Sequence, residues 1–431
     1  MNSTAFKTDK YELTMLQACL QAGTAGRKAT FDLFARRLPT GRRYGVIGGV
    51  GRAIDAVKNF QFTVEQLDYL RADPTINDQT IEFLANYRFT GKISGYREGE
   101  LFFPNSPVLT VEGTFADCVL LETVLLSIYN HDSAVMSAAS RMVMAAEGTP
   151  IIEMGSRRTS ETSAVNAARA AYIAGFTATS NLEAGLVYNV PTTGTSAHAF
   201  TLMFDTETEA FAAQVAALGV ETTLLVDTYD IEQGIRNAVS VAGTELGGIR
   251  IDSGDLHEET VNARKLLDEL GAVNTKIVLS SDIDEYTISE MKDRGTPVDG
   301  IGAGTRVVTG SGHPTAGMVY KLVEIEGADG KMRSVAKKAE GKDSGGGKKF
   351  AYRTLVNGVI EGEWIVFDNG ANLPNNAFPL QVTYVNNGKL CYVPSVEESR
   401  SYHQRAMATL PPEAKTTVAG STAFEAKVIG G

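Results

Sequence analysis

Between residues 149 and 305 the sequence repeats one local pattern: a short apolar run, a polar or glycine-rich break, then a helical stretch. Seven runs fit β-strands, at 151–155, 176–179, 194–197, 223–226, 249–251, 276–279 and 300–302. Ala263, Leu266, Leu267 and Leu270 follow the i, i+3, i+4, i+7 spacing of one helix face and stop at Gly271. Ile231, Ile235, Ala238, Val239 and Ala242 form a second such stripe before Gly243. The Ala-rich stretch 163–174 ends at Gly175, and 285–294 ends at Gly295. Strands alternating with helices of this length predict βαβ units and a parallel sheet. The class is therefore α/β, an irregular or incomplete parallel α/β barrel, with closure left open.

The flanks have a different rhythm. Residues 1–130 mix patterns: Leu13, Leu16 and Leu20 sit at helical spacing, while 92–101 reads as extended with turns. This predicts an N-terminal α/β domain over 1–130, the barrel over 131–320, and a smaller β-containing domain over 321–431 that packs with the first. The C-terminal part carries a glycine-rich basic loop at 341–349 and short β-like runs at 364–367 and 380–385.

Composition excludes several classes. A 431-residue chain with 43% hydrophobic and 21% charged residues is long enough for more than one core and ordinary for a globular protein. The net charge of −11 argues against non-specific nucleic-acid binding, which needs clustered Lys and Arg. It does not argue against small anions, which respond to the field inside a cleft. The apolar run around 118–126 is broken by Glu122 and too short to span a bilayer. Cys19, Cys118 and Cys391 show no paired spacing, and the first ten residues lack the pattern of a signal peptide. A cytoplasmic enzyme is the expectation.

Chemistry collects where the strands end. The residues there are Arg157 and Arg158, Asn181, His198, Asp227, the run Arg250, Asp252, Ser253, Gly254 and Asp255, then Ser280, Ser281 and Asp282, and finally Gly302, Gly304 and Thr305. In parallel α/β barrels ligands bind at this rim, because loops and helix starts converge there. Bland readings stand beside the functional ones. Asp255 with Glu258, and Asp282 with Glu285, have capping-box spacing. Arg157 and Arg158 near a helix start oppose its dipole unless an anion lies between them. The glycines at 302 and 304 suit a backbone nest for phosphate. His198 follows Thr195 and Ser196, and Asp227 on the next strand could fix its tautomer. His131, His257, His313 and His403 give no metal-ligand spacing, so a zinc site is not expected.

These residues carry a family likeness. The stretches 8–15 (TDKYELTM), 153–158 (EMGSRR), 194–198 (GTSAH), 226–230 (VDTYD), 250–255 (RIDSGD) and 302–305 (GAGT) occur in the order and separations of a nicotinate phosphoribosyltransferase. The chain resembles that family along nearly its whole length. The resemblance implies transfer of phosphoribosyl from phosphoribosyl pyrophosphate to nicotinate, giving nicotinate mononucleotide for NAD salvage. It also implies ATP as co-substrate, a phosphorylated His198 oriented by Asp227, Mg²⁺ with the pyrophosphate, and a homodimer in which Tyr11 reaches the partner's pyridine ring. Arg157 and Asn181 would then meet nicotinate. Arg158, Ser196, Arg250, Ser253, Gly254, Asp282, Gly302, Gly304 and Thr305 would meet phosphate or ribose, and Asp252 or Asp282 the metal through water.

Relatives acting on nicotinamide carry Asp where Asn181 falls, and a carboxylate there would repel nicotinate. Nicotinamide phosphoribosyl transfer therefore stands second. A barrel lyase or isomerase acting on a sugar phosphate would need Lys or paired acids at strand ends, and no Lys ends a strand here. A non-catalytic nucleotide-binding dimer would not need His198 and the aspartates.

Overall fold

The computed structural model describes residues 3–336, 345–367 and 373–430. The chain divides into two compact units, one made of residues 1–137 and 313–431, the other of residues 138–312. The division falls inside the helix Glu122–Ala146.

The second unit contains the repeating pattern. Its elements are β1 (Ile151–Glu153), α1 (Glu161–Ala174), β2 (Ala178–Thr179), α2 (Leu182–Tyr188), α3 (His198–Leu202), α4 (Glu207–Leu218), β3 (Thr223–Leu225), α5 (Ile231–Ala242), β4 (Gly248–Ile251), α6 (Leu256–Glu269), β5 (Lys276–Ser281), α7 (Glu285–Asp293), β6 (Gly300–Ala303) and α8 (Thr305–Val308). Among the described residues six strands form one parallel sheet in the order β2-β1-β6-β5-β4-β3. Strand residues such as Ile249, Ile251, Ile277, Leu279 and Ile301 have no exposed surface, as expected for strands covered on both faces. The helix stripes hold as well: Ile235 and Ala238 of α5, and Ala263, Leu266 and Leu267 of α6, are buried. Gly243 closes α5 with φ of 76°, a conformation costly for any residue with a Cβ.

The sheet is a curled half-barrel that stays open between β2 and β3. The expected strand at 194–197 is absent, and this corrects the sequence reading. The chain touches the sheet slightly earlier, where Thr179 N–H donates to Pro191 O (2.9 Å) and Thr193 N–H donates to Thr179 O (3.0 Å). There Thr179 and Thr192 form an isolated bridge. Pro191 has no N–H to extend the ladder. Further along, Arg250 takes the Thr195 hydroxyl and the Ser196 carbonyl at 3.4 Å, so side-chain bonds replace a ladder.

The first unit is built on an antiparallel sheet with seven strands among the described residues. Their order is Met332–Ser334, Met318–Glu326, Lys28–Ala35, Leu109–Thr114, Lys92–Tyr96, Gln381–Asn386 and Lys389–Leu390. N-terminal and C-terminal segments thus share one sheet and one apolar core, which includes Leu16, Leu33, Ile93, Val111 and Tyr384. A second sheet joins Phe378–Pro379, Phe350–Val356, Val359–Val366 and Lys427–Ile429. Residues 341–344 of the expected basic loop lie outside the described residues. At its far end Lys348 Nζ pairs with Glu112 (2.6 Å), and the buried Lys349 pairs with Asp32 (3.2 Å). No helix among the described residues is long and apolar enough to cross a membrane.

Candidate active site

His198 opens α3, after the loop that replaces a strand. Its Nε2 lies 3.0 Å from Asp227 Oδ1. The Asp227 side chain has no exposed surface, whereas that of His198 is 41% exposed. Asp227 Oδ2 accepts the Asp252 backbone N–H (2.9 Å) and the Ser253 hydroxyl (2.7 Å). Both carboxylate oxygens are therefore committed, and Nε2 donates to Asp227. That assignment leaves Nδ1 with the free lone pair.

Arg250 closes the arrangement into a ring. Its Nε donates to Ser280 Oγ (2.6 Å), one terminal nitrogen to Asp252 Oδ1 (3.2 Å), and the other to Thr195 and Ser196 just ahead of His198. The sequence reading gave Arg250 to phosphate, but here its guanidinium ties the ends of β4 and β5 to the His198 loop. Ser196 contributes its carbonyl to this tie.

A second cluster joins the ends of β1 and β2. Glu153 is buried at the end of β1, where its carboxylate accepts the Gly155 N–H and the Thr179 hydroxyl. Burial pushes its carboxyl up, against the pull of those two bonds. Thr179 Oγ1 in turn accepts the Asn181 N–H (3.0 Å). Asn181 is the N-cap of α2: its Oδ1 accepts the Ala184 N–H (2.9 Å), and its Nδ2 donates to Ser156 Oγ (3.1 Å). Arg157 and Arg158 are exposed in the turn closed by Arg158 N–H to Gly155 O (2.8 Å). They precede α1, whose N-cap is Ser160.

Gly302 ends up within β6, and Gly304 caps the short α8 that Thr305 begins. A Cβ on Gly302 would stand 2.7 Å from Met154 Sδ, and one on Gly155 would stand 2.2 Å from Val308 Cγ1 and 3.0 Å from Gly304 O. The arginine turn and the 302–305 loop are thus packed back to back. Gly155→Ala is expected to cost roughly 1–3 kcal/mol by overpacking and to lower turnover with it. Thermal unfolding at an unchanged midpoint would show that the two loops do not press on each other.

Other expected residues fall as follows. Gly254 takes φ of 85° in the turn before Asp255, which caps α6 by accepting from His257 and Glu258. The capping reading of Asp282 is corrected: α7 starts two residues later than its spacing implied, and Asp284 accepts from Tyr286 and Thr287. Asp282 itself is exposed on the rim. Tyr11, in the other unit, is 45% exposed on the helix Lys10–Gln21. Burial of part of its ring, then the Glu122 carboxylate, pushes its phenol up. A groove of about 610 Å³ opens between α5 and α6 and is lined by Tyr229, Arg236 and Glu259, but not by the ring residues. Sequence reasoning missed Glu153 and Thr179 as site residues, and it named Thr195 and Ser280 at the rim without giving either a partner. Glu153 had a readable signal, since a carboxylate inside a buried parallel strand needs a dedicated set of donors.

Among the described residues no group of three or more His, Cys, Asp or Glu could hold a metal. Asp252 Oδ1 is taken by Arg250 and Ser280, while its other oxygen makes no hydrogen bond. That donor set fits Mg²⁺ arriving with a phosphate substrate, which keeps its waters and needs only one or two carboxylates.

Residues 6–130 match the model of the nicotinate phosphoribosyltransferase (NAPRTase) N-terminal domain. The chain is similar to a nicotinate phosphoribosyltransferase of Mycobacterium tuberculosis, 56% identical over 367 residues, covering 83% of this chain and 80% of that one. It is similar to the nicotinate phosphoribosyltransferase of Bacillus subtilis, 39% identical over 384 residues, covering 86% and 78%. Its fold matches the crystal structure of human nicotinic acid phosphoribosyltransferase with a TM-score of 0.83 and 25% identity, over 97% of each chain. Shared at this level over most of its length, in sequence and in fold, the chain belongs to the nicotinate phosphoribosyltransferase family and is an enzyme of that type.

Proposed function

We propose that the protein transfers phosphoribosyl from phosphoribosyl pyrophosphate to nicotinate, in NAD biosynthesis, and couples the transfer to ATP through His198. The observation that supports this reading best is the His198–Asp227 pair inside a ring of hydrogen bonds at the strand ends. In the transfer the pyridine nitrogen attacks C1 of the ribose, the C1–oxygen bond breaks, and pyrophosphate leaves. Positive charge builds on the sugar meanwhile, and the Asp252 carboxylate would stabilise that charge. Mg²⁺, carried in by the pyrophosphate, would neutralise the leaving group. Arg157 suits the nicotinate carboxylate, and Arg158, the 302–305 loop and Ser253 suit phosphate oxygens.

For the ATP step, Nδ1 of His198 attacks the γ-phosphorus, the bond to the bridging oxygen breaks, and ADP leaves with that electron pair. Asp227 holds the proton on Nε2 and balances the charge on the phosphorylated ring. Hydrolysis of the phosphohistidine returns the free imidazole. A homodimer would bring Tyr11 of one subunit to the pyridine ring bound by the other, a role its exposed face suits. Three free cysteines fit a cytoplasmic setting.

The test is an assay with phosphoribosyl pyrophosphate and Mg²⁺, with and without ATP, offering nicotinate, nicotinamide or quinolinate. Nicotinate mononucleotide is the expected product, and its absence overturns the reading. Arg157→Ala is expected to raise the nicotinate KM by about 10- to 100-fold, the loss of a hydrogen bond to a charged group. A KM within twofold of the wild-type value would remove Arg157 from the carboxylate.

A further inference from the structure

We propose that Glu285 and Ser311 are positioning residues for the phosphates of the phosphoribosyl substrate: their hydrogen bond sets the 302–305 loop against the end of β5. The inference rests on the phosphate role proposed for that loop. Glu285 is the first residue of α7, directly after residues 282–284 of the rim, and its side chain is 1% exposed. One carboxylate oxygen accepts from Arg141 Nε (3.1 Å), the other from the Ser311 hydroxyl (2.5 Å). The Arg141 side chain has no exposed surface and lies over the Tyr286 ring, 5.7 Å from its centroid. A buried carboxylate needs a countercharge and donors of its own. Here one of the donors comes from a different loop.

Ser311 is the unusual partner. Gly310, Ser311 and Gly312 all have positive φ, at 65°, 54° and 84°. Glycine takes this conformation freely, whereas a residue with a Cβ is disfavoured in it. A serine between two such glycines needs something to hold it, and its hydroxyl on Glu285 supplies the hold. The backbone passes the restraint on. Ser311 N–H donates to Arg306 O (2.6 Å), and Thr309 N–H donates to Thr305 O (3.2 Å). Ser311 is thus fastened to α8, whose first residue, Thr305, belongs to the 302–305 loop. A second link, Arg306 Nε to Asp284 Oδ2, is long at 3.9 Å and its arginine is exposed, so it adds little.

The two segments that this bond joins both border the phosphates in the proposed reaction. The ladder between β5 and β6 ends at Ser281 and Ala303. Beyond that point the Glu285–Ser311 bond carries the spacing, and it does so from below the surface, without touching substrate. Slack there would displace every donor of the 302–305 loop at once, and misplacement by about 1 Å can cost up to about 10²-fold in rate.

The experiment compares KM values for the two substrates in variants of the full-length protein. Ser311→Gly removes the tie but suits the positive φ, so the melting temperature should be kept. It is expected to raise the KM for phosphoribosyl pyrophosphate about tenfold, as the loss of one hydrogen bond to a charged group does. The nicotinate KM, and kcat at saturation, should stay within about twofold of wild type. Ser311→Asn should bring the raised KM most of the way back, because asparagine tolerates positive φ and its amide can donate to Glu285. Glu285→Asp keeps the charge beside Arg141 but shortens the reach to Ser311. It should raise the same KM and add little on top of Ser311→Gly, since both act through one bond. Fully additive effects of the two overturn the proposal. So does an unchanged KM for phosphoribosyl pyrophosphate in Ser311→Gly, or a loss shared equally by both substrates. Wild-type protein that makes no nicotinate mononucleotide would sink the proposed function instead, a separate result.

Discussion

A His198→Ala variant is expected to form nicotinate mononucleotide at the rate the wild-type protein reaches without ATP, whether or not ATP is added. Alanine removes Nδ1, the atom with a free lone pair, while the groups proposed for C1 chemistry remain. ATP hydrolysis should fall by at least about 10²-fold, the usual contribution of such a group. Asp227→Asn should do nearly as much damage for a different reason. Three donors converge on Asp227: the His198 ring, the Asp252 N–H and the Ser253 hydroxyl. Asn has a single acceptor oxygen, so at least one donor would face the amide N–H₂. The ring would then lose its fixed tautomer or the 252–253 turn would shift. Both outcomes are read by comparing turnover with and without ATP, together with acid-labile phosphate on the protein. Stimulation by ATP that survives in His198→Ala would remove this residue from the coupling role.

The largest stability effect is expected in the other unit. Arg353 is 2% exposed, and its guanidinium bonds Glu100 (2.6 Å), Glu363 (2.7 Å) and the Leu101 carbonyl (2.8 Å). Glu363 also accepts from Tyr96 and Ser106, and Glu100 from Tyr402. Burial also pushes the neighbouring His403 down to about 4, so it supplies no compensating cation near neutral pH. Arg353→Ala would strand two buried carboxylates and is expected to cost about 3–5 kcal/mol, as breaking a buried pair does. That is a large share of the roughly 5–15 kcal/mol that holds a typical domain together. Arg353→Met combined with Glu100→Gln and Glu363→Gln should be markedly milder, because it leaves no lone charge. Urea unfolding of the two variants makes the comparison. A loss under about 1 kcal/mol for Arg353→Ala would mean that the ion network adds little.

The sequence disclosed the features written in nearest neighbours. Helix stripes and their glycine stops set α5 and α6, and apolar runs marked all six strands of the half-barrel. The run at 194–197 misled because β-branched and small residues look alike in a strand and in a loop held from outside. What holds that loop is Arg250, more than fifty residues further along the chain. The pairing of His198 with Asp227 was readable, since both close consecutive segments of the rim. The rest of the ring was not, because Ser280 and Thr195 become informative only once β4, β5 and the loop are side by side. Likewise nothing local joins Arg353 to Glu100, 253 positions away. Asp282 shows the limit of motif spacing: it stands at capping-box spacing from Glu285, yet Asp284 caps the helix that follows.

The open seam between β2 and β3 has a consequence for the proposed ATP step. In a closed barrel a backbone ladder would hold the His198 segment regardless of charge. Here residues 195–198 are held by the Asp227 and Arg250 side chains, and the same carboxylate and guanidinium border the groups proposed to react. A change in the ring charge of His198 in the proposed ATP step would change the mooring with it. If His198 carries phosphate as proposed, the state of one imidazole would be written into the order of the loop that carries it.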